Sequence, residues 1–125
     1  MKMGGKFWLI IAAAVFAIAM FGAMYLAAKP SDLLPLAKCL KEKGATFYGA
    51  YWCPHCQATK RMFGSAAAEL PYVECSTPDG KSQLQVCKDK GITNYPTWVF
   101  ADGERLTGEQ TAAQLAQASG CALPQ

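Results

Sequence analysis

At 125 residues the chain holds one domain's worth of sequence. From Lys29 onward, ten Lys/Arg face nine Asp/Glu for a net charge of +1, with no basic stripe and no acidic run, so no nucleic acid partner is expected. Six cysteines in the last hundred residues suit an oxidising compartment better than the cytosol.

The first element is FWLIIAAAVFAIAMFGAMYLAA, 22 uncharged residues over 7–28, long enough to cross a hydrocarbon layer of about 30 Å. A secretory signal is the rival reading, since Leu26-Ala27-Ala28 offers small residues for cleavage, but its apolar run is about 7–15 residues. The expected organisation is a cytoplasmic N-terminus over 1–6, a membrane anchor over 7–28, a linker over 29–32 and a domain over 33–125. Lys2 and Lys6 precede the span and Lys29 follows it, which places the N-terminus inside and residues 30–125 on the exported side. The expected location is an inner or thylakoid membrane, single-pass, with the C-terminal domain in the periplasm or lumen. About 95 residues bury a modest core, which disulfides would support.

Leu33, Leu36, Ala37 and Leu40 fall at helical spacing, and Gly44 stops that helix. ATFYGAY reads as a buried strand, followed by a helix from Cys53 to about Ala68 with Pro54 at its first position. PYVEC is a second strand. KSQLQVCKDKG reads as a helix with Leu84, Val86 and Cys87 inward, ended by Gly91. PTWVFA and ERLTG flank Asp102-Gly103, a hairpin signal. TAAQLAQASG closes the chain as a helix capped by Thr111 and stopped by Gly120. A βαβ unit followed by a hairpin and a helix makes an α/β fold, a four-stranded mixed sheet flanked by helices.

The chemistry lies in YWCPHCQATKRMF. Zinc wants a second close cysteine pair or spaced histidines; Cys75 and Cys87 are too far apart, and the single histidine, His55, sits inside the motif. Haem attachment needs histidine after the second cysteine, where Gln57 stands. No metal is expected. A structural bridge between cysteines so close gains little unfolded-state entropy. A redox dithiol, by contrast, profits from the position. Cys53 at a helix N-terminus meets unpaired N–H groups and the positive end of the dipole, which favour a thiolate. Cys56, one turn on, is placed to resolve a mixed disulfide, and His55 offers a donor or partial positive charge near Cys53. Trp52 either shapes a substrate-facing lip or packs. No bound cofactor is expected, because the dithiol itself carries two electrons.

WCPHC closing a strand, then Tyr95-Pro96-Thr97 forty residues after Cys56, then strand, turn, strand and helix, resembles the thioredoxin fold over about Leu33–Gly120. The resemblance implies a cis peptide before Pro96, lying against the dithiol, whereas composition alone points to trans. It also implies that the backbone at Tyr95 pairs with a substrate peptide. The longer stretches AKCLKEKGATFYGAYWCPHC, PYVECSTPDG, KDKGITNYPTWVF and LTGEQTAAQLAQASG look like the thioredoxin-like domain fused to vitamin K epoxide reductase homologues of bacteria and plants. CPHC is also the motif of periplasmic disulfide oxidases. These resemblances imply an oxidase of exported protein thiols, detached from the membrane enzyme and recharged by a quinone-linked, vitamin K epoxide reductase-like partner on another chain. They also imply a Cys75–Cys87 disulfide, whose alternative is a second redox-active pair. Cys39 and Cys121 remain for each other by elimination; a free Cys121 joining another protein is the alternative. One departure bears on direction: cytosolic thioredoxins keep a buried acid six residues before the first motif cysteine, and Phe47 stands there. A reductase or isomerase, or a non-catalytic binding module, are the other readings.

Overall fold

The computed structural model describes residues 4–27 and 31–125. Lys2, Lys29, Pro30 and Ala28, which carried the orientation, linker and cleavage readings, lie outside the described residues. Helix α1 runs Gly5–Ala27, and at 23 residues it is about 34 Å long at the standard rise. Its window Gly5–Tyr25 has mean hydropathy 2.4 and buries nothing, so it is long and apolar enough to span a membrane.

Helix α2 (Leu34–Glu42) buries Leu36, Ala37 and Leu40, as its periodicity requires. Strand β1 (Thr46–Gly49) pairs in parallel with β2 (Tyr72–Glu74) and antiparallel with β3 (Thr97–Val99), and β3 pairs antiparallel with β4 (Arg105–Thr107). The sheet order β2-β1-β3-β4 is that of a βαβ unit extended by a hairpin. Helix α3 (Pro54–Phe63) makes the crossover, α4 (Gln85–Asp89) follows β2, and α5 (Ala112–Ser119) closes the chain.

Alternation along β1 divides the core. Phe47 faces one side with Trp98, Leu36, Leu40, Phe63 and Leu115, while Tyr48 faces the other with Cys75, Cys87 and Ile92. Phe47 stacks on Trp98 at 4.7 Å between centroids and 7° between planes, and both are fully buried. The α5 cap is a reciprocal box: Thr111 Oγ1 accepts from Gln114 N, and the Gln114 side chain accepts from Thr111 N.

Three elements depart from expectation. The predicted helix Cys53–Ala68 ends at Phe63 and tightens into a 3-10 turn over Gly64–Glu69, because Gly64 takes φ 56°. The strand read from ATFYGAY ends at Gly49, where Cys53 N donates to Ala50 O and turns the chain into the dithiol motif. The helix read from Lys81 begins only at Gln85. Thr77 Oγ1 donates to Asp79 and accepts from Ser82 N, so side-chain bonds hold a turn where a helix was expected. In the short α4 only Cys87 points inward, and Val86 is exposed.

Both remaining cysteine pairs are disulfides. Cys75–Cys87 joins the end of β2 to α4 with Cα atoms 5.5 Å apart. Cys39–Cys121 joins α2 to the residue after the Gly120 cap, with Cα atoms 6.0 Å apart.

A candidate redox site at the start of helix α3

Cys53 and Cys56 are free thiols at the N-terminus of α3. Cys53 is the N-cap, with φ −74° and ψ 120°, and Pro54 follows where a missing N–H leaves no bond unmade. The Cys53 sulfur accepts from Cys56 N at 3.5 Å, one of the orphan donors of the first turn. It also lies 3.7 Å from the Tyr95 carbonyl oxygen, to which its S–H donates. The Tyr95–Pro96 peptide is cis, and Pro96 is buried beneath this loop. The two motifs that sequence separation kept 42 residues apart therefore meet at one sulfur.

Both cysteines are buried, Cys53 4% and Cys56 1% exposed. Burial pushes the Cys56 thiol up to about 12, reinforced by the neighbouring Cys53, while the Ala50 backbone and the Lys60 charge pull the other way. Its sulfur fits because residue 49 is glycine: a β-carbon there would lie 2.8 Å from Sγ of Cys56, closer than side chains approach.

The remaining site residues separate into rim and support. Tyr51 and Trp52 are each about half exposed beside the dithiol. Trp52 Nε1 donates to Ser76 Oγ at 2.9 Å and its ring meets Tyr95 edge-on at 6.0 Å. Tyr51 OH donates to Pro78 O at 3.0 Å. Gln83 Nε2 donates both to Tyr95 OH and to Ile92 O, each at 2.7 Å. Residues 76–83, anchored beside the Cys75–Cys87 disulfide, thus hold the aromatic rim from behind. Thr97 is buried, and its hydroxyl donates to Asn94 O at 2.7 Å, so it shapes the loop before β3 from within.

His55 stands on the exposed side of the first turn. Its Nδ1 pairs with Glu109 Oε1 at 2.5 Å, the side chains being 67% and 50% exposed. Glu109, Ser76 and Gln83 carry no signal in the sequence, because each reaches its partner across a separation that only the fold closes. Among the described residues, no group of three or more His, Cys, Asp or Glu is arranged to hold a metal ion.

The family model for Thioredoxin matches residues 42–119. Thiol-disulfide oxidoreductase LTO1 of Arabidopsis thaliana is 46% identical over 97 residues, covering 74% of this chain and 25% of that protein. Protein disulfide-isomerase A2 of Pongo abelii is 39% identical over 69 residues, covering 51% of this chain and 13% of its own length, and the Homo sapiens protein is 35% identical over 81 residues, covering 57% and 15%. This chain therefore spans a quarter or less of these curated relatives. Among solved structures, the thioredoxin of Malassezia sympodialis (Mala s 13) aligns with TM-score 0.44 at 21% identity, covering 61% of this chain and 70% of that one.

Proposed function

We infer, because this chain belongs to the thioredoxin family, that Cys53 and Cys56 form a redox-active dithiol and that the protein is a membrane-tethered thiol–disulfide oxidoreductase, working chiefly as an oxidant of exported protein thiols. The observation that carries this reading is the Cys53 sulfur, seated at the N-cap of α3, accepting from Cys56 N and facing the carbonyl before Pro96. Similarity to a thiol-disulfide oxidoreductase over three quarters of the chain supports it.

In the oxidising direction a substrate thiolate attacks Cys53 Sγ. The Cys53–Cys56 bond breaks, and Cys56 leaves as a thiolate that takes up a proton. A second substrate thiolate then attacks the substrate sulfur of the mixed disulfide and displaces Cys53. The substrate gains a disulfide and the protein holds two electrons. Exposed Trp52 and Tyr51 beside the sulfur, with the Tyr95 backbone opposite, form the rim on which an extended peptide is held, and Pro96 and Thr97 set that loop from below. A quinone-linked, vitamin K epoxide reductase-like membrane protein takes the electrons back.

The direction is supported by Phe47. It lies fully buried against Trp98 at the position where cytosolic reductases of the family keep an acid, so no carboxyl stands there to help Cys56 release its proton in the reducing direction. Similarity to a protein disulfide-isomerase favours a second reading, isomerisation or reduction in the same compartment. The reduction potential of the Cys53–Cys56 couple separates the two. A value near −120 mV, about that of the strongly oxidising periplasmic enzymes, is expected; one near −270 mV, about that of thioredoxin, would overturn the oxidising direction.

Orientation has its own test. Lys2 and Lys6 before the span, against Lys29 alone after it, support a domain outside the cytoplasm, in periplasm or lumen. An alkaline phosphatase joined after Gln125 is expected to be active in cells, and an inactive fusion reverses the topology.

A further inference from the structure

Whenever the Cys53–Cys56 bond forms, Cys56 must first lose its proton, and whenever the bond breaks it must carry negative charge away. Burial opposes both. The titratable groups around it are Cys53 and Lys60 from α3 and Tyr72 and Glu74 from β2, with Tyr95 facing Cys53 from the loop before β3.

Lys60 follows Cys56 by four residues and so shares its face of α3. Its Nζ sits 3.4 Å from the centroid of the Tyr72 ring. That ring is fixed at both ends. Its edge meets Phe47 at 5.2 Å and 64°, and its hydroxyl donates to Glu74 Oε2 at 2.6 Å. The other oxygen of Glu74 accepts from Ser76 N at 2.9 Å and from Tyr51 N at 3.2 Å. Burial and the Glu74 bond hold the Tyr72 phenol above its ordinary range, so it keeps its proton. The ring packs against the core cluster that holds Cys56, and both flank Gly49: a β-carbon built there would lie 3.0 Å from Tyr72 Cε2 and 2.8 Å from Cys56 Sγ. An ammonium therefore rests on a ring that shares the space over Gly49 with the Cys56 thiol.

We propose that Lys60, held over the Tyr72 ring, is the positive charge that stabilises the Cys56 thiolate during disulfide exchange, with Tyr72 and Glu74 as its fixed platform. The inference rests on the redox reading of Cys53 and Cys56. When the dithiol is recharged, the Cys53 thiolate first attacks a disulfide of the oxidising partner, joining one partner sulfur to Cys53 and releasing the other as a thiolate. Cys56 then gives its proton to water and its thiolate attacks Cys53 Sγ. The Cys53–Cys56 bond forms, the Cys53–partner bond breaks, and the partner sulfur leaves as a thiolate and is protonated. When substrate is oxidised, Cys56 departs as a thiolate beside Lys60 and then takes a proton from water. Lys60 is a positioning charge in a site whose position 47 holds a buried phenylalanine instead of an acid.

The test uses the reduced full-length chain in detergent, mixed with oxidised glutathione, and follows closure of the Cys53–glutathione mixed disulfide from pH 6 to 10. Lys60→Met is expected to slow closure about threefold or more at pH 7 and to shift its pH profile upward, since one unit of acidity is worth a factor of about ten. Lys60→Arg restores both, and Tyr72→Phe, which keeps the ring but loses the Glu74 tie, slows closure less. A Lys60→Met profile that superposes on wild type overturns the inference while leaving the dithiol reading intact. A wild-type chain that forms no mixed disulfide at Cys53 overturns both.

Discussion

Replacing Cys53 with serine is expected to reduce disulfide exchange to the rate of free thiols in solution, whereas replacing Cys56 with serine should trap substrate on the protein. The asymmetry follows from position. Cys53 occupies the N-cap, facing the Tyr95 carbonyl and accepting from an amide of the first turn, so it is the sulfur expected to meet an incoming sulfur. Cys56, 1% exposed against 4% for Cys53, with a thiol that burial pushes up to about 12, is expected to act only on its neighbour. In Cys56→Ser a disulfide-bearing chain attacked by the Cys53 thiolate cannot be released by Cys56, and a Cys53-linked species should appear on non-reducing gels of whole cells. The trapped chains would identify both clients and the recharging partner. The roles are reversed if Cys53→Ser traps and Cys56→Ser does not. If Cys53→Ser leaves exchange in cells unchanged, the chain is a binding module and not an enzyme.

The largest stability effect is expected at Cys39–Cys121. The bridge closes a sequence separation of 82 residues, against 12 for Cys75–Cys87. In the chain-entropy model these loops are worth about 4.5 and about 3 kcal/mol, most of it by restricting the unfolded chain. A domain of this size is stable by only about 5–15 kcal/mol. Cys39→Ala with Cys121→Ala should therefore remove a large share of the total, read as a lower denaturant midpoint at unchanged slope. The Cys75→Ala, Cys87→Ala pair should lose less stability but more exchange activity, because residues 76–83 hold Trp52 and Tyr95. A loss below about 1 kcal/mol for the long loop would contradict the entropic account.

Most of the architecture was legible because it rests on local rules. The apolar run over 7–28 reads as a membrane-length helix by length alone, Thr111 reads as a cap, and Asp102-Gly103 makes a turn in which Gly103 takes φ 89°. Pro54 after Cys53 placed the dithiol at a helix start. The cis Tyr95–Pro96 bond was legible only through family likeness, since the local energetics of an X–Pro bond favour trans. What escaped were contacts made by folding. His55 meets Glu109 across 54 positions, Trp52 meets Ser76 across 24, and Lys60 meets Tyr72 only because α3 crosses back over β2. The α4 error has a local cause of another kind: a polar pattern compatible with helix was captured by the Thr77 hydroxyl. Val86 was assigned inward by a helical phase read from Lys81; the helix that begins at Gln85 turns Cys87 inward and leaves Val86 exposed.

The bridge from Cys39 to Cys121 also decides how mechanical load crosses the domain. A pull exerted between Ser31 and Gln125 enters at α2 and leaves just past α5, and the sulfur bond links those points directly. All four strands lie inside the covalent ring so formed. Tension between a tether and a captured chain end therefore bypasses the sheet.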